Sequence, residues 1–290
     1  MAKILVTGAK GQLGQSIAKL ASDYAQYQLS YVDVAELDLS SKDAIEQYFA
    51  DKCFDVIINC AAYTAVDKAE SEPELADAVN HQAVATLAQL AKQRDMTLIH
   101  ISTDYVFDGR NHRPYTETDC VAPHSVYGDT KLKGELALLK AQPRGCIIRT
   151  SWVYSEFGNN FVKTMLRLGA ERDELGVIFD QIGSPTYAED LARAILTMIA
   201  KMDENAMQVP EIYHFSNEGV CSWYDFAKAI FELADIDCEV RAIETKDYPT
   251  PAKRPHYSLM NKSKIKHDFE LPIPYWRDSL VKCLKQLQAV

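Results

Sequence analysis

The chain has neither a long apolar run nor closely paired cysteines. No stretch approaches the roughly 20 apolar residues that cross a bilayer, and the apolar run near Met1 is too short for a signal peptide. The seven cysteines include no C-x-x-C pair, which argues against a zinc site, and several lie in apolar runs typical of reduced, buried thiols. We therefore expect a cytoplasmic protein with no bound metal.

An excess of positive charge is absent as well. The formal net charge is -10, from 31 Lys and Arg against 41 Asp and Glu, which argues against binding to nucleic acid or to an anionic membrane. A small anionic ligand is still compatible with this charge, because a few cations and backbone N–H groups can bind one. We expect a small-molecule partner, and the sequence leaves open whether the chain is a monomer or a homodimer.

The first half of the chain alternates short β-branched runs with amphipathic stretches. Each run is almost continuously apolar, which indicates strands buried on both faces, as in a parallel sheet. The stretches between them carry apolar residues at helical spacing. This alternation predicts an α/β fold, a Rossmann-like doubly wound parallel sheet with helices on both faces. The predicted strands are Lys3–Thr7, Gln28–Val32, Asp55–Cys60, Thr97–Ser102 and Gly145–Arg149.

Beyond about residue 150 the alternation weakens and prolines accumulate, with seven of the 11 in this half. We predict an NAD(P)-binding domain over residues 1–150 and a smaller C-terminal, mainly substrate-binding domain over residues 151–290. A segment at about 177–205 is expected to pack back onto the first domain. Helices are predicted at Phe161–Arg172, Tyr187–Met202, Ser222–Ala234 and Trp276–Gln288, the third opened by a capping box of Ser222 and Asp225.

A glycine-rich turn, Gly8-Ala9-Lys10-Gly11-Gln12-Leu13-Gly14, joins the first predicted strand to the first helix. Its three glycines permit a tight turn, close approach of a pyrophosphate and close helix packing, and the helix N-terminus offers N–H groups to phosphates. A plain strand–helix turn is the alternative, but Asp33 at the end of the second strand favours a dinucleotide site. Asp33 could accept hydrogen bonds from the adenosine ribose, which favours NADH, whereas Lys10 could bind the 2′-phosphate of NADPH. The sequence therefore leaves open which of the two cofactors binds.

Tyr127 and Lys131 are four residues apart and therefore share one face of a predicted helix. A nearby cation lowers the pKa of a phenol, so Tyr127 is expected to exchange a proton with a carbonyl oxygen near neutral pH. Lys131 can also bind the nicotinamide ribose. Thr103, at the end of the fourth strand, can supply a hydroxyl to the same carbonyl.

The tyrosine–lysine spacing alone is not specific. Two other pairs share it, Tyr48 with Lys52 and Tyr224 with Lys228. Only Tyr127 follows the end of a predicted strand at which ligands bind in a doubly wound sheet. We therefore predict that Tyr127 is the functional tyrosine.

Several longer strings, together with these residues, resemble the extended short-chain dehydrogenase/reductase family, whose members act mostly on nucleotide-sugars. The strings are Asn59–Glu70, Ser102–Gly109, Arg149–Tyr154 and Thr250–Pro255. The resemblance covers essentially the whole chain and is closest to members that reduce the 4-keto group of a dTDP-linked 6-deoxysugar. It implies hydride transfer from NADPH or NADH to C4 of a dTDP-sugar.

The resemblance and the patterns above give a predicted site. Catalysis is assigned to Thr103, Tyr127 and Lys131, with Tyr127 protonating the sugar oxygen. The predicted cofactor-binding residues are Gly8, Lys10, Gly11, Gln12, Leu13, Gly14, Asp33, Asp38, Leu39, Ala61, Ala62, Tyr63, Thr64, Tyr127 and Lys131. The predicted substrate-binding residues are Thr103, Asp104, Tyr127, Trp152 and Arg254. Arg254 is our candidate for the substrate pyrophosphate, because a guanidinium suits charge-assisted contacts with phosphate.

Related dimeric reductases are associated with magnesium held by glutamates near the subunit interface. Such a carboxylate would be needed just after the glycine turn, where this chain has Gln15 instead. Glu189 is present as a second candidate ligand. We therefore expect catalysis without added magnesium.

Two other functions are compatible with the fold. An epimerase or dehydratase needs a further acid–base pair, and a dehydratase is expected to carry Asp-Glu beside the threonine, whereas Asp104-Tyr105 stands here. A non-catalytic regulatory subunit, similar to that of methionine adenosyltransferase, would have no chemical need for Thr103, Tyr127 and Lys131 together. Simple reduction is favoured.

Overall fold

The structure is a computed structural model that describes residues 1–204 and 209–288. Residues 205–208 and 289–290, which fall within the predicted 151–290 domain, lie outside the described residues. A six-stranded, fully parallel sheet forms the centre. Its strands are β1 (Ala2–Thr7), β2 (Tyr27–Val32), β3 (Val56–Asn59), β4 (Thr97–Thr103), β5 (Arg144–Thr150) and β10 (Glu211–His214). They lie in the order β10-β5-β4-β3-β1-β2.

Helices in the first half connect these strands as parallel crossovers. They are α1 (Gln12–Lys19), α2 (Lys42–Ala50), α3 (Val66–Ala69), α4 (Pro73–Asp77), α5 (Ala83–Gln93) and α6 (Val126–Ala141). One π-helical turn, Ala78–Gln82, joins α4 to α5, and short 3-10 turns occur at Ala21–Tyr24 and Asp104–Val106. The predicted doubly wound α/β fold is confirmed, and each of the five predicted strands is found within two residues of its expected bounds.

Side chains alternate across the sheet and so create two apolar layers. Ile4 and Val6 of β1 are fully buried in one layer with α1, whereas Leu5 between them is fully buried in the other layer against α2 and α5. This burial on both faces explains why the strands read as continuous apolar runs.

The second half adds six short strands and five helices to the described residues. The strands are β6 (Val153–Tyr154), β7 (Glu174–Ile178), β8 (Ile182–Gly183), β9 (Thr186–Tyr187), β11 (Cys221–Ser222) and β12 (Glu239–Ile243). The helices are α7 (Phe161–Glu171), α8 (Ala188–Glu204), α9 (Trp223–Ala234), α10 (Ser263–Phe269) and α11 (Trp276–Gln288), with a 3-10 turn at Thr245–Asp247. Ser222 and Asp225 form the predicted capping box at the start of α9.

Two parts of this half have different neighbours. Helix α8 buries its apolar face against α1, in the same layer as Ile4 and Val6, and β10 completes the sheet beside β5. Helices α7, α9 and α11 instead surround a separate core with the paired strands β7 and β12. The domain boundary at residue 150 stays a prediction. None of the helices among the described residues has both the length and the apolar character needed to cross a membrane.

The sixth strand, β10, was not predicted from the sequence. It has only four residues and directly follows Val209 and Pro210, so neither its length nor its composition gives a periodic signal. Strand β10 is therefore stabilised by its backbone hydrogen bonds to β5 and not by a pattern in its own sequence.

Candidate functional site

A cavity of about 890 Å³ opens at the carboxyl ends of the parallel strands. Such ends are where doubly wound sheets bind ligands. Every predicted site residue except Lys10 and Arg254 lines this cavity. The roles assigned to them stay predictions, but the fold brings them together.

The glycine turn forms the floor of one end of the cavity. Gly8 has a φ of +65°, the left-handed region that glycine adopts without strain. A Cβ on Gly14 would lie 2.4 Å from the carbonyl oxygen of Gly8, so only glycine allows α1 to begin so close to the turn. The turn therefore has the tight backbone that a pyrophosphate needs at a helix N-terminus.

Asp33 holds this turn in place from the end of β2. Its Oδ2 accepts a hydrogen bond of 2.8 Å from the backbone N–H of Lys10, and its Oδ1 accepts one of 2.9 Å from Val34. Farther along the rim, Asp38 accepts hydrogen bonds from the backbone and hydroxyl of Ser40, which lower the pKa of the carboxyl. Leu39 beside it is buried and lines the cavity.

The loop after β3 is braced against the helix that carries the tyrosine. The Asn80 amide oxygen accepts from the backbone N–H of Tyr63 at 2.8 Å, and its Nδ2 donates to the Tyr63 carbonyl at 3.1 Å and to Thr130 at 3.3 Å. Asn80 lies in the π-helical turn, and Thr130 lies on α6. One buried amide therefore fixes the predicted cofactor loop relative to α6.

Helix α6 approaches the end of β4 closely because Gly128 has no side chain. A Cβ there would lie 2.3 Å from the Tyr105 carbonyl oxygen. Ser125 caps the helix, its hydroxyl accepting from the backbone N–H of Gly128 at 3.1 Å. The resulting packing places Tyr127 within hydrogen-bond reach of Thr103.

The pKa of Tyr127 differs from the expectation drawn from the sequence. Burial raises it to about 12, although the hydrogen bond with Thr103 opposes the increase. Burial also lowers the pKa of Lys131 to about 8, opposed by the charge of Glu135 one turn along α6. The Lys131 amine donates to the Ile101 carbonyl at 2.6 Å and lies 3.3 Å from Nε2 of His100. Desolvation of the phenol therefore outweighs the expected effect of the lysine.

Asp104 and Trp152 also line the cavity. Asp104 is 2% exposed, and burial raises the pKa of its carboxyl to about 6, while the hydrogen bond from Thr103, at 3.0 Å, lowers it. Trp152 has a φ of +50°, which is uncommon for a bulky residue. Its ring stacks on Trp223 with centroids 3.6 Å apart and planes 11° apart.

A family model described as RmlD substrate binding domain matches residues 2–289. A dTDP-4-dehydrorhamnose reductase from Aggregatibacter actinomycetemcomitans is 45% identical over 287 residues, which cover 97% of each chain. The chain belongs to the dTDP-4-dehydrorhamnose reductase family.

Two solved structures from the dTDP-4-dehydrorhamnose reductase family share the whole architecture. One, from Clostridium acetobutylicum, has a TM-score of 0.93 and 42% identity, with 99% of both chains covered. The other, from Bacillus anthracis and in complex with NADP, has a TM-score of 0.91 and 36% identity, also with 99% of both chains covered.

In this dTDP-4-dehydrorhamnose reductase family member, two predicted site residues do not line the cavity. Lys10 is exposed in the glycine turn and does not line the cavity. Arg254 forms a two-pronged ion pair with Asp67 of α3, at 2.9 and 3.0 Å, and its side chain is 26% exposed. The guanidinium therefore has a carboxylate partner where we predicted a phosphate.

The two residues considered for magnesium have other partners. Gln15 donates to the Lys10 carbonyl at 2.7 Å. Glu189 and Glu156 both pair with Lys19, at 2.8 and 2.6 Å. Within residues 1–204 and 209–288, no group of three or more His, Cys, Asp or Glu side chains is arranged to hold a metal ion.

Sequence reasoning missed several residues at the site. Thr7, Cys60, Thr150 and Ser151 line the cavity at or just past strand ends, so the strand prediction itself could have identified them. The side chain of Gln12 contacts Val153, Ser155 and Asn160 at 3.2, 3.0 and 2.9 Å. These partners, and the stack of Trp223 on Trp152, depend on packing between distant segments and have no local signal.

Proposed function

We propose that this chain reduces the 4-keto group of dTDP-4-dehydro-6-deoxy-L-mannose (dTDP-4-dehydrorhamnose), using NADPH or NADH, to give dTDP-L-rhamnose. The observation that carries the proposal is the meeting of Thr103, Tyr127 and Lys131 on one wall of a cavity whose other end is the glycine turn. Full-length similarity to reductases with this name, at 45% identity for one of them, supports the same reaction.

The residues at the glycine turn fit a dinucleotide. Gly8 and Gly14 allow backbone packing that any Cβ would prevent, and this packing places the N-terminus of α1 at the turn. Asp33, Asp38 and Leu39 would hold the adenosine end, and Ala61–Thr64 the middle of the cofactor. Lys131 would hold the nicotinamide ribose. When bound, the reduced nicotinamide supplies a hydride to C4 of the sugar.

Tyr127 acts as the general acid. With a pKa of about 12 its phenol stays protonated at neutral pH, which is the form that gives a proton to the sugar oxygen. Thr103 would turn its single hydroxyl hydrogen from Asp104 toward that oxygen and so orient it. The ammonium form of Lys131 favours the phenolate left on Tyr127 and returns a proton to it.

Asp104 and Trp152 bind the sugar. The carboxylate of Asp104 can accept from sugar hydroxyls, and the flat ring of Trp152 can cover an apolar face of the sugar. Arg254 stays our candidate for the substrate pyrophosphate, for which its guanidinium would have to exchange Asp67 for phosphate.

We also propose that the protein acts in the cytoplasm on a dTDP-sugar and not on nucleic acid, as a monomer or homodimer. A non-catalytic regulatory subunit and an epimerase are not favoured, because a relative that covers 97% of the chain is named as a reductase.

The test is a coupled assay. The 4-keto-6-deoxysugar is made from dTDP-glucose by a dehydratase and a 3,5-epimerase, and oxidation of NADPH or NADH is followed by absorbance. Tyr127→Phe should lower kcat by roughly a hundredfold or more, because it removes the proton donor. Tyr48→Phe is the matched control, since Tyr48 shares the spacing to a lysine but contacts that lysine at 4.0 Å outside the cavity.

Each result has one meaning for the proposal. Oxidation that needs the epimerised sugar and collapses only in Tyr127→Phe supports it, and the two cofactors give the preference. NADPH binding without turnover of the sugar would contradict it and favour the regulatory alternative. We expect the rate to be the same with a chelator, and a rate abolished by chelation and restored by magnesium would contradict that part.

A further inference from the structure

A row of buried polar side chains crosses the sheet behind Lys131. Thr7 of β1 pairs in register with Asn59 of β3, which pairs in register with His100 of β4. Thr7, Asn59, His100 and Lys131 are each at most 1% exposed. A buried polar group without a hydrogen-bond partner destabilises the fold, so each group in this row needs a partner.

The row is a continuous chain of contacts that ends at the lysine amine. The backbone N–H of Ala61 donates to Thr7 Oγ1 at 3.3 Å, and Thr7 Oγ1 donates to Asn59 Oδ1 at 2.6 Å. Asn59 Nδ2 lies 3.0 Å from His100 Nδ1, and His100 Nε2 lies 3.3 Å from Lys131 Nζ.

The Thr7 hydroxyl and the Asn59 amide together set the direction of the whole chain. Thr7 Oγ1 accepts from the backbone N–H of Ala61, which can only donate, and gives its own hydrogen to Asn59 Oδ1. The Asn59 amide then presents N–H to His100 Nδ1, which must accept. A neutral imidazole carries one hydrogen, so that hydrogen is on Nε2 and faces Lys131. Reversing the Asn59 amide would deprive the Thr7 hydroxyl of its acceptor.

The direction distinguishes the two protonation states of Lys131. An ammonium has only donors, so an Nε2–H pointing at it is a donor facing a donor. A neutral amine has a lone pair that accepts this hydrogen while its own N–H groups still donate to Ile101. The row therefore suits the amine that remains when Lys131 gives a proton to the Tyr127 phenolate.

We propose that Thr7, Asn59 and His100 form a polarised hydrogen-bond chain in which His100 is a positioning residue that holds Lys131 and favours its neutral amine. The catalytic consequence of this chain rests on the proposed function. A chain that favours the neutral amine makes Lys131 a stronger acid toward the Tyr127 phenolate, and solvent later returns a proton to Lys131. Burial lowers the pKa of Lys131 to about 8 and the pKa of His100 well below its usual value, and both shifts have the direction that the chain would favour.

Other charged groups also act on Lys131. Glu135 on α6 raises its pKa, although Glu135 is itself held by Arg149 of β5 at 2.7 and 2.9 Å. Tyr127 on α6, Asp104 after β4, and Cys60, Tyr63 and Tyr105 are further titratable groups that line the same cavity.

The deciding experiment is the tautomer of His100 in the wild-type protein. Nitrogen-15 NMR distinguishes Nδ1–H from Nε2–H, and the signal that disappears in His100→Phe assigns the residue. We expect protonated Nε2 and unprotonated Nδ1. Protonated Nδ1 would overturn the proposal, whether or not the protein reduces the ketosugar; the expected tautomer without turnover would leave it standing and contradict the proposed function.

Asn59→Asp tests the consequence with little change in shape. A carboxylate accepts from Nδ1–H, so Nε2 becomes an acceptor that suits the ammonium. The alkaline limb of the kcat–pH profile should move up by about one pH unit, a tenfold gain in proton affinity. His214→Phe is the control, because it removes another fully buried histidine of the sheet whose Nδ1 contacts the Tyr115 carbonyl, and it should leave the limb unmoved.

The added charge of Asn59→Asp could by itself raise the Lys131 pKa. The same substitution in a His100→Phe background separates the two routes. A shift that disappears there is carried by His100, as proposed. A shift that persists at full size is plain charge attraction and overturns the role given to His100.

Discussion

Trp152 presents its ring to the cavity from a backbone conformation that must be held in place. Its φ of +50° lies in the left-handed region, which costs a non-glycine residue about 1–2 kcal/mol. The ring of Trp223, 3.6 Å away and almost parallel, is its largest aromatic neighbour, and Phe161 lies 4.6 Å behind Trp223. We expect Trp223→Leu to make the position of the Trp152 ring less fixed and to leave the predicted cofactor-binding residues unchanged.

The magnitude follows from the stack. An aromatic pair contributes about 0.5–1.5 kcal/mol beyond its buried area, which is similar to the backbone cost that it offsets. Losing it should shift Trp152 out of its cavity-lining position and raise KM for the sugar by about twofold to tenfold. The Kd for NADPH should stay the same, because Trp223 does not line the cavity.

Three measurements check this reasoning. Steady-state kinetics give KM and kcat, titration gives the NADPH affinity, and circular dichroism reports the coupling of the stacked indoles, which should vanish. Trp276→Phe is the control, since Trp276 is buried in the same core but contacts Phe226 and Tyr275 instead of Trp152. An unchanged KM in Trp223→Leu, with the indole coupling lost, would refute the argument.

Two further predictions concern stability. Arg149→Met should lower the free energy of unfolding by about 3–5 kcal/mol in chemical denaturation, because it leaves the buried carboxylate of Glu135 without its ion-pair partner. The double variant Arg149→Met with Glu135→Leu should recover most of this loss. A double variant as unstable as Arg149→Met alone would contradict this explanation. Asp104 has a folded-state pKa of about 6, above its unfolded value of about 3.9, so its ionisation weakens the fold; this cost is absent below about pH 4 and fully present above about pH 6. Asp104→Asn should therefore raise Tm relative to wild type at about pH 7.5 and leave it unchanged at about pH 4, and a gain of equal size at both pH values would contradict the assigned cause.

The elements with strong local signals were predictable. The apolar runs of β1 to β5 and the glycines of the first turn follow from burial on both faces and from steric limits, which act within a few residues. Tyr127 could be chosen over Tyr48 because strand order already locates the ligand edge.

Features that depend on packing across the chain were not predictable. The partner of Arg254 is Asp67, which is 187 residues away in sequence. The Trp152–Trp223 stack joins the loop after β5 to the first residue of α9. The pKa of Tyr127 was expected to fall, because the sequence shows the neighbouring cation but not the depth at which the phenol is buried. Likewise, His100 reads as an isolated polar residue in an apolar strand until the register places Asn59 beside it.

The position of β10 limits how the protein can be divided. If the chain were cut after residue 150, β5 would become an open edge with unpaired N–H and C=O groups, a template for pairing with other chains. The same cut would expose the face of α1 that α8 covers. An exchange of halves between relatives would therefore have to transfer residues 188–214 together with residues 1–150, since grafting at the midpoint alone is expected to yield aggregates and not chimeric enzymes.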